Sequence, residues 1–137
     1  MLTTQHIRLV QDSWQRVTPI ADKAAELFYN RLFQLNPQLQ HLFKGDMAVQ
    51  AGRLMGMIDT AVQGLTNLDV IVPVLQASGS RHKGYGVSDA DYTTVGEALL
   101  WTLQQGLGQE FTPEVKHAWV EVYTILSNTM KNAPHQR

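Results

Sequence analysis

Apolar residues along this chain recur every three or four positions, the spacing of one helix face, and nowhere alternate with the two-residue period of a half-buried strand. Ile7, Val10, Trp14 and Val17 predict a first helix from about Thr4. Ala25, Phe28, Tyr29, Leu32 and Phe33 line a second, from Pro19 to about Leu35, and Leu39, Leu42 and Phe43 lie on a short helical turn after Pro37. After a break at Lys44-Gly45-Asp46, the stripe Leu54, Ile58, Ala61, Val62 and Leu65 marks the next helix. A helix from about Val70 to Lys83 tolerates Pro73 in its first turn and is stopped by Gly84 and Gly86. The last two run from Asp89 to Leu107 (Tyr92, Val95, Leu99, Leu103 inward) and from Pro113 to Lys131 (Val115, Ala118, Trp119, Val122, Leu126, Met130 inward).

The punctuation agrees. Thr18-Pro19, Asn36-Pro37 and Thr112-Pro113 each place a capping side chain before a proline suited to the first helical position. Ser88-Asp89-Ala90-Asp91 has the spacing of a capping box. The expected fold class is therefore all-α. With 137 residues, no internal repeat and no linker composition, a single domain over 1–137 is expected.

Composition narrows the function classes. A net charge of −1 gives no general attraction to nucleic acid, and no apolar run approaches the roughly 20 residues that span a bilayer, so neither nucleic acid nor membrane insertion is expected. With no cysteine, disulfides, thiolate metal sites and cysteine nucleophiles are excluded. The first residues lack the basic and apolar regions of a signal peptide, so a cytoplasmic protein is expected. There is no Gly-rich phosphate loop, no Gly-x-Ser-x-Gly elbow and no His-Glu-x-x-His.

What is left is a single-histidine site. His82 closes a helix just before Gly84-Tyr85-Gly86. It reads either as a half-exposed imidazole favoured by the helix dipole or as a ligand projecting into a cavity, bound to a metal that arrives within a cofactor. Gln50 stands one turn before Leu54 on the apolar stripe, where its amide either caps the helix start or faces a ligand. Tyr29 is inward on the second helix, its hydroxyl bonded to a nearby carbonyl or turned toward a ligand. Met47, Met55 and Met57 have the spacing of core filling, and Trp14, Trp101 and Trp119 read as packing residues.

The run Leu27-Phe28-Tyr29-Asn30-Arg31-Leu32-Phe33, with Asn36-Pro37 and Leu42-Phe43, resembles the second and third helices of bacterial single-domain globins, which are similar to the haem domain of flavohaemoglobins. Arg81-His82-Lys83-Gly84-Tyr85-Gly86-Val87, then Tyr92-Thr93-Thr94-Val95-Gly96, resembles the proximal region, and Ala118-Trp119 with Tyr123 the last helix. The resemblance implies a globin fold, a three-over-three helical sandwich around haem b, with His82 as the iron ligand. It implies Phe43 stacked on the haem, Leu54 over the iron, Val87, Tyr92 and Val95 on the proximal wall, and Tyr29 and Gln50 as the distal polar pair. Arg53, Lys44 and Lys83 become candidates for the haem propionates.

The function so implied is reversible binding of a diatomic gas (O2, NO or CO) at five-coordinate ferrous iron, for oxygen storage, delivery or scavenging. Two distal donors, each worth on the order of 1–3 kcal/mol toward a charged ligand, imply slow release of oxygen. The alternative is a nitric oxide dioxygenase. The chain has no room for flavin and nicotinamide domains, so that activity would need a separate reductase. A gas sensor would need a signalling domain. Gln50 at the distal position argues against bis-histidyl iron, and Ala133-Pro134 stand where flavohaemoglobins carry an acid behind the proximal histidine.

Overall fold

The computed structural model describes residues 2–43, 46–84 and 87–132, and the side chains of 82–84 also lie outside the description. Among the described residues six α-helices follow one another: α1 (Thr4–Val17), α2 (Ala21–Leu35), α3 (Met47–Gln63), α4 (Leu68–Gly84), α5 (Asp89–Leu107) and α6 (Pro113–Lys131). Short 3-10 segments at Thr18–Ile20, Pro37–Leu42, Gly64–Thr66 and Gly108–Glu110 join or extend them. There is no strand among the described residues.

The helices start where side chains can satisfy their orphan amides. Ser88 and Asp91 form the predicted capping box at α5, and Thr112 accepts from the Val115 amide at 3.2 Å. Asn36 accepts from the Gln38 amide, and Asp46, which the sequence reading took for part of a break, caps α3 by accepting from the Ala48 amide at 2.8 Å. Thr18 departs from expectation. Its backbone is helical, so it ends α1 instead of capping the next helix, and its hydroxyl donates back to the Gln15 carbonyl at 2.9 Å. The second helix therefore starts at Ala21, after a 3-10 turn that holds Pro19.

α4 begins at Leu68, two residues before the predicted start, which puts Pro73 in the second turn. The proline leaves the Asp69 carbonyl without its usual helical donor, but both residues are exposed and water can serve. Met47 is corrected too: it is 37% exposed and fills no core. It sits at the first position of α3, ahead of the stripe that turns inward.

The main core joins α1, α2, α5 and α6. Val10, Trp14, Leu32, Leu103, Trp119 and Val122 are essentially inaccessible there. Trp14 and Trp119 meet edge to face with centroids 6.1 Å apart, and both indoles are partnered. Trp14 Nε1 donates to Asp59 Oδ1 at 3.0 Å, and Trp119 Nε1 donates to Ser13 Oγ at 2.8 Å. A second cluster, Ala61, Ile71 and Leu75, joins α3 to α4 and is packed by Leu126 and Met130 of α6. Gly79 of α4 lies so close to the Met130 main chain that a Cβ would collide with it, which anchors α4 to α6 three residues before His82.

Candidate functional site

The site grows from the facing ends of α2 and α3. Asp46 sets the first turn of α3 and so fixes Gln50, whose main-chain N–H donates to the Asp46 carbonyl at 3.1 Å. Across from it, Tyr29 is buried on α2 at 7% exposure. Its hydroxyl donates to the main-chain oxygen of Gln50 at 3.2 Å. Phe43 closes the corner, its ring edge-on to Tyr29 with centroids 5.3 Å apart. Burial raises the Tyr29 pKa to about 12, so the phenol stays a neutral donor throughout the physiological range.

Two aromatic neighbours of Tyr29, which the sequence places only on the inward face of the second helix, join it at the site. Phe33 stacks on it at 27°, and Phe28 meets it edge-on. Phe33 also touches Phe43, so three rings enclose the hydroxyl-bearing one. For Phe33 the signal is its i, i+4 spacing from Tyr29 on α2, but aromatic spacing alone reads as core.

The structure thus brings Tyr29, Gln50 and Phe43 together. Leu54, one turn beyond Gln50, and Val95 on α5 are half-buried and pack against the main core. Val87 is half-buried ahead of α5, and Arg53 points to the surface. Lys44, Ala133 and Pro134 lie outside the described residues, as do the side chains of His82 and Lys83. The backbone of His82 belongs to the last turn of α4.

Tyr92 is buried on α5, and α6 holds it in place. The Tyr123 hydroxyl donates to the Tyr92 carbonyl at 2.6 Å, and Gly96 leaves room for the Tyr123 ring. Burial pushes the Tyr123 phenol well above its ordinary pKa, and the neighbouring Tyr92 adds to the shift. Tyr92 is raised as well, first by burial and then by the charge of Asp89. The Lys131 ammonium lies 5.8 Å from the Tyr92 ring centroid.

Two observations bear on what such a site could hold. No side chain of α3 before Ala61 is fully buried, although Ala51, Leu54, Met55 and Ile58 are apolar and turn toward the core. A half-covered apolar stripe of this kind suits a large flat apolar ligand. Among the described residues, no three His, Cys, Asp or Glu side chains gather around a common point. A single histidine ligand, the role the resemblance implies for His82, would call for a metal that arrives with its other ligands, as haem iron does.

Comparison with known proteins agrees. The Globin family profile matches residues 26–130. Neuroglobin-1 of Oncorhynchus mykiss is 30% identical, covering 98% of this chain and 97% of its own. Neuroglobin of Danio rerio is 30% identical, covering 93% and 92%. A solved structure, described as a hexacoordinated heme protein from an anhydrobiotic tardigrade at pH 4, superposes with a TM-score of 0.88 at 18% identity, covering 96% of this chain and 94% of that one.

The chain belongs to the globin family. Its all-helical fold is the globin fold, which packs its helices around a haem pocket, and haem iron is its cofactor. The sequence motifs point to bacterial single-domain globins, whereas the two relatives named above are vertebrate neuroglobins; the family is what both share.

Proposed function

We propose that this globin binds a diatomic gas reversibly at five-coordinate ferrous iron, for oxygen storage, delivery or scavenging, with His82 as the proximal ligand. Haem, when bound, supplies the iron that takes the gas. The observation that carries the reading is the pairing of Tyr29 with Gln50 beside Phe43. The pair places a buried neutral hydroxyl next to a residue with a side-chain amide, on the apolar stripe that Leu54 continues. Both groups can donate to negative charge on a gas ligand, and a charge-assisted donor is roughly twice as strong as a neutral one.

For Tyr29 to serve, its hydroxyl exchanges the Gln50 carbonyl for the ligand. The exchange is easy because a carbonyl on α3 can keep its helical bond while the phenol turns. Phe28, Phe33 and Phe43 hold the ring itself in place. Leu54 and Val95 supply apolar walls that keep water away.

Five-coordination is favoured by the make-up of α3, which offers no histidine or cysteine; of its methionines, Met47 is exposed and Met55 packs against the main core. The other described histidines lie elsewhere: His6 on α1, His41 in the 3-10 segment after α2, and His117 on α6. The tardigrade protein is described as hexacoordinated, so coordination is the point at which to test the likeness.

The deciding experiment measures oxygen association and dissociation on the reduced wild type and on Gln50→Leu. Reversible binding with faster release from the variant is expected. Irreversible oxidation, or release unaffected by the substitution, would sink the reading. Sustained conversion of nitric oxide to nitrate with a separate reductase would move the function to a nitric oxide dioxygenase.

A further inference from the structure

Away from the haem-site residues, the fold brings two histidines into contact. His6 in the first turn of α1 and His117 on α6 have ring centroids 5.5 Å apart, inclined at 64°. They border a shallow hollow of about 330 Å³ together with Gln5, Leu9, Pro113 and Glu114. His117 Nε2 lies 3.8 Å from Glu121 Oε1, one turn further along α6.

We propose that His6 and His117 form a surface site for a borderline divalent transition cation (Cu²⁺, Ni²⁺ or Zn²⁺) that clips the start of α1 to α6. The separation fits. With metal–nitrogen distances of about 2.0–2.1 Å, two imidazoles on one tetrahedral ion have centroids about 5 Å apart. Imidazole is the ligand these ions favour, and their affinities should follow the order that places Cu²⁺ first. At 3.8 Å the Glu121 carboxylate is a small side-chain shift away from accepting the Nε2 proton of His117, which would leave Nδ1 for the ion, an arrangement common around metal-bound histidine. Two protein ligands on an open surface leave the remaining positions to water.

Two effects oppose binding, and both are small. Both histidines lie near helix N-termini, which disfavour cations, but Glu114 and Glu121 bring negative charge to the same place. His6 Nδ1 accepts a 3.3 Å bond from the Thr3 amide. Binding through Nε2 moves the ring proton to Nδ1 and gives up that long, exposed bond, while the stronger half of the box, from the His6 amide to Thr3 Oγ1 at 3.1 Å, stays in place.

The test is a calorimetric titration of the untagged, haem-loaded chain with Ni²⁺, alongside His6→Gln, His117→Gln and His41→Gln. Glutamine at position 6 is compatible with the capping box, so that variant should fold, and circular dichroism checks it. The site predicts one ion per chain, at least tenfold weaker binding in the first two variants and no change in the third. Cu²⁺ should show electron-spin splitting from two nitrogens. No uptake, or equal uptake by wild type and all variants, would reduce the His6–His117 contact to ring packing and overturn the site.

Discussion

The Tyr29 hydroxyl donates to the Gln50 main-chain oxygen at 3.2 Å, so the two residues proposed to face a gas ligand are joined to each other across α2 and α3. The bond keeps the buried phenol satisfied when nothing else accepts its proton.

Tyr29→Phe keeps the ring contacts with Phe28, Phe33 and Phe43 and removes only the hydroxyl. The cost to stability should be about 1 kcal/mol, the net value of one neutral hydrogen bond. The effect on the gas should be larger. Losing a charge-assisted donor worth about 1.5–3 kcal/mol speeds oxygen release roughly ten- to a hundredfold, read by stopped flow.

The glycines separate by what surrounds them. A Cβ on Gly96 would lie 2.7 Å from the Tyr123 ring, which cannot retreat because its hydroxyl holds the Tyr92 carbonyl. Overpacking of about 1–3 kcal/mol should outweigh the helix propensity gained, about 1 kcal/mol, so Gly96→Ala lowers the melting temperature. Gly52 and Gly56 on α3 have nothing within 4 Å of an added Cβ. Alanine at either should raise stability by about 0.4–1 kcal/mol. Urea denaturation of the haem-loaded variants distinguishes the two classes.

Trp119 Nε1 donates to Ser13 Oγ, and the serine hydroxyl lies within reach of the Leu9 and Val10 carbonyls at 2.7 and 3.0 Å. Ser13→Ala leaves the buried indole N–H without its acceptor, at about 1–3 kcal/mol. Trp119→Phe removes the donor as well as some packing. The double variant should lose less than the sum of the singles, because the penalty for the stranded N–H is then absent. A double-mutant cycle on chemical denaturation measures the difference.

Alkaline stability follows from the buried phenols. Tyr29 moves from an ordinary value of 10.0 to about 12, so the folded protein holds this proton more tightly than the unfolded chain does. Its contribution is complete below pH 10 and falls as the pH rises from 10 through 12. Tyr123 shifts in the same direction. Melting temperatures should therefore fall across this range, and more steeply in wild type than in Tyr29→Phe.

Much of the fold could be read from periodicity and caps. The starts of α5 and α6 fall where Ser88-Asp89 and Thr112-Pro113 place them, because a capping side chain with an apolar stripe behind it is a local signal. Thr18-Pro19 misled because the same residues also suit a helix that runs on into a 3-10 turn; the backbone at Thr18 decides, and sequence does not state it. At the site, sequence named Tyr29, Gln50 and Phe43, while their mutual bond depends on how α2 crosses α3. The Tyr123–Tyr92 bond and the need for glycine at 96 are likewise products of the α5–α6 packing. Such long-range contacts leave no periodic trace.

Visible absorption spectra of the purified protein in ferric, ferrous and carbon monoxide-bound forms, beside those of His82→Ala, test whether His82 holds a five-coordinate haem. The ferrous wild type should show a five-coordinate haem that takes up carbon monoxide, and the variant should lose or misligate its haem. A wild type with six-coordinate ferrous iron, or a variant with unchanged spectra, would contradict the assignment of the site.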